Sequence, residues 1–172
     1  MTLLTKLLQK CGLFLLLLLY LYILCRVILF KFGSIEPSFL IDQLQYSFSE
    51  QSSITERLVD GGNIVPFREI ERNIHSIRHD QDWRGFVQFA GNIIAFVPLG
   101  ILLPLLFKKG FASLFRMMLA SFFVSLILEV SQLVLQIGRF DVDDLILNTT
   151  GGVLGYIIYV ICYRALSRRQ IT

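Results

Sequence analysis

The sequence predicts an all-α membrane protein, a bundle of four transmembrane helices with a mostly extracellular polar segment between helices 1 and 2. Of the 172 residues, 55% are hydrophobic and 17% are charged, whereas a soluble domain has about 45–50% apolar and about 25% charged residues. The apolar residues fall into four blocks of the length that a helix needs to cross a bilayer, about 17–25 residues. This composition excludes a water-soluble enzyme with one buried core, and a net charge of +3 gives no indication of nucleic-acid binding.

The four predicted spans are Leu13–Phe30, Phe86–Phe107, Met117–Ile137 and Leu145–Tyr163. In the first span, Arg26 lies near the end, where its charged group can reach the lipid headgroups. No cleavage site of small residues follows this span, so we expect an uncleaved first helix rather than a signal peptide.

The distribution of basic residues predicts how the chain crosses the membrane. The N-terminus, the 108–116 turn and the 164–172 tail hold eight Lys and Arg residues, whereas 31–85 and 138–144 hold seven over twice the length. Cytoplasmic connections are enriched in Lys and Arg, so we expect both termini to be cytoplasmic.

Four regions follow from this topology. They are a cytoplasmic N-terminus with the first span (1–35), an extracellular segment (36–85), a three-helix membrane core (86–163) and a cytoplasmic basic tail (164–172).

The extracellular segment contains several local signals. The Gly-Gly pair at 61–62 predicts a break, and Pro66 predicts an extended or turn segment because it disfavours a helix at the preceding residue. Arg68–His79 is predicted to form a short surface helix. His75 and His79 have metal-ligand spacing, but no third ligand is obvious nearby, so we interpret them as solvated surface residues and expect no metal site and no cofactor.

Polar residues inside the predicted spans converge at one depth. At about 100° per residue, one face of the third span, an arc of about 80°, contains Ser121, Ser125, Glu129, Gln132 and Gln136. Asn92 and Asn148 lie on the neighbouring spans, and a rise of about 1.5 Å per residue places these groups in the outer half of the membrane. On the fourth span, Gly151 and Gly155 are spaced to allow another helix to approach closely.

The short loop 138–144 lies directly above this polar layer and has two interpretations. In the first, the polar groups form an interhelical hydrogen-bond network, with Arg139 neutralising Asp143 or Asp144. In the second, one arginine is too little for four carboxylates, including Glu129, so a cation, a raised pKa or a cationic ligand group is needed.

The same residues resemble the VanZ-like family of small bacterial membrane proteins, which is named for a teicoplanin-resistance protein. The matching stretches are Asn63–Phe67, Gly91–Gly100, Glu129–Gln132 and Arg139–Gly152, and their order and spacing cover about residues 60–160. The resemblance implies a multi-pass protein of the bacterial plasma membrane, associated in some members with glycopeptide or lipoglycopeptide resistance.

The polar layer and the matching stretches together define the candidate binding residues. They are Asn63, Pro66, Phe67, Asn92, Glu129, Gln132, Arg139, Asp141, Asp143, Asp144 and Asn148. The function expected from this combination is a contribution to teicoplanin-type resistance through an outward-facing polar pocket that binds an amphiphile. The amphiphile would be a membrane lipid, a lipid-linked cell-wall precursor or a lipoglycopeptide.

Two other functions fit the sequence. The first is a membrane enzyme that modifies a lipid headgroup or an envelope polymer, with Glu129 or Asp144 as general base or with Mg²⁺ held by the aspartates of the loop. The second is a transporter or an accessory membrane subunit. The sequence predicts contact with membrane lipids and no nucleic-acid partner, and it leaves the oligomeric state open.

Overall fold

The computed structural model describes residues 3–30, 37–49, 54–79 and 83–169, and in these ranges it confirms the all-α fold. The helices are α1 (Leu3–Phe30), α2 (Pro37–Ser49), α3 (Ile54–Gly61), α4 (Arg68–His79), α5 (Arg84–Leu106), α6 (Leu114–Leu135) and α7 (Val142–Arg169). Four of them, α1, α5, α6 and α7, are long and apolar enough to cross a membrane. They correspond to the four predicted spans.

The ends of the spanning helices differ from the sequence-based bounds for physical reasons. α1 begins at Leu3 and α7 continues to Arg169, because Lys and Arg favour helices although they lower the hydropathy that marks a span. α6 ends at Leu135 because Gln136 adopts the left-handed conformation, with φ of 54°. Residues 1–2, 31–36, 50–53, 80–82 and 170–172 of the predicted regions lie outside the described residues.

α5 and α7 form the closest helix pair of the bundle, and glycines on both helices allow it. A Cβ atom on Gly151 would overlap the carbonyl oxygen of Ile93, and one on Gly155 would overlap that of Val97. Gly100 approaches the backbone of α7 in the same way from the α5 side. The predicted close approach at Gly151 and Gly155 is confirmed, since only glycine leaves the two backbones enough room.

α1 and α6 complete the bundle around a shared apolar core. Its buried members are Leu24, Ile28, Phe96, Leu99, Met117 and Leu128. Two polar side chains also join the helices: the Tyr20 hydroxyl donates to the Ala95 carbonyl at 2.7 Å, and the Gln132 amide donates to the Ile28 carbonyl at 2.7 Å. Such bonds satisfy side chains that have little water available within a bilayer.

The short helices α2, α3 and α4 gather at one end of the bundle, together with the 136–141 connection; we call this the loop end. α2 and α3 pack on α6, and α4 packs on α5 and α7. The Ser47 hydroxyl donates to the Val134 carbonyl and accepts a hydrogen bond from Arg57, so α2 and α3 are joined to the last turn of α6. The predicted break at Gly61 and the predicted surface helix Arg68–His79 are both confirmed.

Candidate binding site

The segment after α3 is attached to the loop that precedes α7. The Asn63 N–H donates to the Phe140 carbonyl at 2.8 Å, and the Val142 N–H donates to the Asn63 carbonyl at 2.9 Å, which forms a short parallel bridge. The Asn63 side chain adds a bond of 2.8 Å from its Nδ2 to Oδ1 of Asp141. Two segments 78 residues apart in the chain therefore form one unit at the loop end.

Asp143 anchors the first turn of α4. Its side chain is buried, with 1% exposure. Its Oδ1 accepts a hydrogen bond from the Phe67 N–H, and its Oδ2 accepts bonds from the N–H groups of Glu69 at 2.8 Å and Ile70 at 3.1 Å. The first N–H groups of a helix have no partners within the helix, and the positive end of the helix dipole favours an anion there.

These backbone hydrogen bonds take the place of the ion pair between Arg139 and an aspartate that one interpretation predicted for the loop. Arg139 is exposed, and among the described residues it forms no ion pair with Asp143 or Asp144. Backbone N–H groups stabilise the Asp143 carboxylate instead, so the interpretation in which Arg139 neutralises one of these aspartates is wrong.

Pro66 and Phe67 lie on the outer surface of the loop end. The Phe67 side chain is 55% exposed, and its backbone has φ of 69°, a left-handed conformation that is costly for a bulky residue. The hydrogen bond to Asp143 helps to hold this conformation.

Glu129 stabilises the beginning of α7 in the same manner. The side chain is 1% exposed, and Oε2 accepts a hydrogen bond of 2.9 Å from the N–H of Asp141, the residue before α7. Its carboxylate thus lies near the positive end of the α7 dipole. This location explains how an acidic residue can be accommodated within a membrane-spanning helix.

Burial perturbs the titration of the Asp141 carboxyl group in the loop. Burial raises its pKa above the ordinary value, while hydrogen bonds from Asn63 and from the Asp143 N–H act in the opposite direction. Both bonds end on Oδ1, from donors at 2.8 Å. The nearby acidic groups of Asp143 and Glu69 add to the rise.

Asn148 forms an interhelical hydrogen bond below this level. Its side chain is buried, and its Nδ2 donates to the Ser125 hydroxyl at 2.8 Å. Ser121, Ser125, Glu129 and Gln132 are all buried, as expected for the polar face of the third span. This bond joins α6 to α7, as the interhelical hydrogen bonding of the first sequence-based interpretation predicted.

A cavity of about 930 Å³ opens at the loop end between α1, α4, α5 and the loop before α7. Six of the eleven candidate residues line it, namely Asn63, Asn92, Gln132, Arg139, Asp141 and Asp144. The other five, Pro66, Phe67, Glu129, Asp143 and Asn148, do not line it. Asn92 and Asp144 are joined directly by a hydrogen bond from Nδ2 to Oδ1.

Sequence reasoning missed the contribution of α4 to this cavity. Arg68, Glu69 and Arg72 line its wall, and Arg72 forms an ion pair with Glu69 at 2.6 Å. Arg68 and Arg72 are four residues apart, which places them on one face of a helix. That spacing, directly after the matching stretch that ends at Phe67, was the signal that could have identified them.

These features define a class: a multi-pass membrane protein with four spanning helices and a polar cavity at one end of the bundle. The VanZ/LLP1 family model matches residues 14–163, and the chain belongs to this family. Protein VanZ of Enterococcus faecium is 34% identical over 87 residues, which are 50% of this chain and 52% of that relative. The chain therefore spans about half the length of this curated relative. No solved structure matches the chain.

Proposed function

We propose that the loop end faces outward and that its cavity binds the polar part of an amphiphile, through which the protein contributes to teicoplanin-type glycopeptide resistance. The observation that supports this most directly is the cavity itself. Its volume of about 930 Å³ lies within the range of small-molecule sites, about 300–1,000 Å³.

The chemistry of the cavity walls suits a ligand with both a tail and a headgroup. Val27 and Ile28 of α1 form an apolar wall, whereas Asn92 and Asp144 lie on a polar wall. Val87 lines the cavity and is 67% exposed, so an apolar surface continues from the cavity to the outside of the bundle. A tail can lie along this surface in the lipid while the headgroup occupies the polar part.

The expected topology connects this cavity with resistance. The excess of basic residues in the other connections favours an outward-facing loop end. Teicoplanin is a lipid-tailed drug that acts at the outer membrane surface, and the family is named for a teicoplanin-resistance protein. Under this proposal the cavity receives the polar part of either the drug or a lipid-linked precursor in the same layer.

The first experiment fills the cavity without disturbing the helix. A Cβ atom on Gly91 meets nothing within 4 Å, and Gly91 lines the cavity, so Gly91→Leu should occupy cavity space. Gly12→Leu is the matched control because its site is equally open and lies on α1 outside the cavity. Leucine favours a helix more than glycine does. Native mass spectrometry of the purified chain should show a retained amphiphile in the wild type and in Gly12→Leu, and less of it in Gly91→Leu.

The second experiment measures resistance in a susceptible Gram-positive host. Expression of the wild type should raise the inhibitory concentration of teicoplanin more than that of vancomycin, because only the tailed drug partitions into the membrane. Gly91→Leu should lose this protection, and Gly12→Leu should keep it. Equal protection against both drugs, or full protection by Gly91→Leu, would contradict the proposal.

A further inference from the structure

We infer that the cavity recognises a phosphate-bearing headgroup and that Arg68 and Arg139 are the cationic groups that bind it. This inference rests on the proposed function of the cavity and specifies the chemical class of its ligand. It follows from the distribution of hydrogen bonds among the charged residues that line the cavity.

The two aspartates of the cavity are engaged by donors from the protein. Oδ1 of Asp144 accepts a hydrogen bond from the Asn92 amide, and Oδ1 of Asp141 accepts one from the Asn63 amide at 2.8 Å. Each carboxylate therefore has a neutral donor that stabilises it in place.

The arginines of the cavity differ from one another. Arg72 is paired with Glu69 at 2.6 Å. Arg68 and Arg139 also line the cavity, and within the described ranges neither of them forms an ion pair or donates a side-chain hydrogen bond. Two guanidinium groups thus remain available to an anion.

The fold brings these two guanidinium groups to one cavity and keeps them there. Arg68 begins α4, and Arg139 lies in the loop before α7. The bridge between Asn63 and Asp141 and the cap that Asp143 forms on α4 join the two segments. Because the protein fixes both backbones, little conformational freedom of the main chain has to be lost when a ligand binds.

A phosphate group is an anion that guanidinium groups bind well. A guanidinium presents parallel N–H donors that match two phosphate oxygens. The N–H groups at the beginning of α4, which otherwise attract anions, are already occupied by Asp143. Recognition therefore falls to the side chains of Arg68 and Arg139 rather than to the helix terminus.

The test compares lipids that share tails and differ in the headgroup. The purified full-length chain in nonionic detergent is titrated with dioleoylphosphatidic acid, with dioleoylglycerol, with the cationic lipid dioleoyl-trimethylammonium-propane and with inorganic phosphate, and binding is measured by native mass spectrometry. The variants are Arg68→Gln and Arg139→Gln. Arg78→Gln is the matched control because it removes the same charge from an exposed position on α4 outside the cavity.

We expect dioleoylphosphatidic acid to bind at least tenfold more tightly than the other lipids. Arg68→Gln and Arg139→Gln should each weaken its binding by about tenfold, the effect of losing one strong charged hydrogen bond. Arg78→Gln should leave binding unchanged, and none of the variants should change the weak binding of dioleoylglycerol.

The other outcomes contradict either the phosphate recognition, the amphiphile binding or the roles of the two arginines. If dioleoylglycerol or the cationic lipid binds as tightly as dioleoylphosphatidic acid, the cavity takes an amphiphile but does not recognise phosphate. If inorganic phosphate binds as tightly as the lipid, phosphate recognition stands and the proposed amphiphile function fails. If none of the lipids binds, both proposals fail. If Arg68→Gln and Arg139→Gln weaken the binding of dioleoylphosphatidic acid no more than Arg78→Gln does, Arg68 and Arg139 are not the groups that bind the phosphate.

Discussion

The attachment of α4 to the membrane bundle depends on a carboxylate that uses both of its oxygens. Asp143 accepts one backbone hydrogen bond on Oδ1 and two on Oδ2. An asparagine has nearly the same shape but only one acceptor oxygen. In Asp143→Asn, the amide nitrogen must face either the Phe67 N–H or the N–H groups of Glu69 and Ile70, and donor then meets donor.

The structure gives the expected size of this effect. At least one hydrogen bond to a charged group is lost, which contributes about 1.5–3 kcal/mol. The favourable interaction between the carboxylate and the α4 dipole, about 0.3–1 kcal/mol, is lost as well. We therefore expect Asp143→Asn to destabilise the attachment of α4 by about 2–4 kcal/mol.

Asp141→Asn is the matched control in the same loop. The hydrogen bonds that the Asp141 side chain accepts from Asn63 and from the Asp143 N–H both end on Oδ1, so the single oxygen of an asparagine can accept them. This variant removes a carboxylate next to Asp143 while it keeps the local contacts. A large effect of Asp143→Asn alone thus separates loss of the helix cap from a general change of charge.

Hydrogen–deuterium exchange of the purified chain measures the attachment directly. Amides at the beginning of α4, residues 67–72, should exchange about 30- to 700-fold faster in Asp143→Asn, since each 1.4 kcal/mol corresponds to about tenfold. Amides in the centres of α5 and α7 should keep their protection. The reasoning fails if residues 67–72 exchange at the wild-type rate, or if Asp141→Asn accelerates them equally.

Three further predictions concern the bundle, the loop and the topology. Gly100→Ala forces a Cβ atom against the α7 backbone and should lower stability by about 1–3 kcal/mol in chemical unfolding, whereas Gly91→Ala on the same helix should not lower it. Burial raises the pKa of Asp141, so lowering the pH from neutral should stabilise the wild type relative to Asp141→Asn in thermal unfolding, and this gain should disappear as the pH rises again through the raised pKa. In a cysteine-free background, an impermeant thiol reagent added outside should label Ile64→Cys but not Ser113→Cys; the reverse pattern would refute the outward loop end.

The spanning helices could be predicted from the sequence because hydropathy and helix periodicity are local properties. The buried polar face of α6 and the close approach of Gly151 and Gly155 followed from the spacing of residues along one helix. Gly100 was missed because its importance depends on which helix lies opposite. Such a pairing is a tertiary contact, and no spacing within a single helix reveals it.

The hydrogen-bond partners of the buried carboxylates could not be predicted for the same reason. Glu129 and Asp143 bind backbone N–H groups, and every residue except proline has such a group, so the sequence does not mark the partner. From the sequence, only charged side chains can be set against these carboxylates. The beginnings of α4 and α7 provide the missing positive potential.

These contacts of the carboxylates also change which kind of ligand the loop end is expected to attract. With one arginine set against four carboxylates, one interpretation of the sequence required a cation, a raised pKa or a cationic ligand group. In the folded protein, Glu129 and Asp143 are stabilised at helix N-termini and are removed from the cavity, while Asp141 and Asp144 accept hydrogen bonds from asparagine amides. Arg68 of α4 lies with Arg139 at the cavity wall, and it was not part of the charge balance expected for the loop. Among the described residues that line the cavity, Arg68 and Arg139 are thus the charged groups without a hydrogen-bonded partner, and the ligand that engages them is an anion.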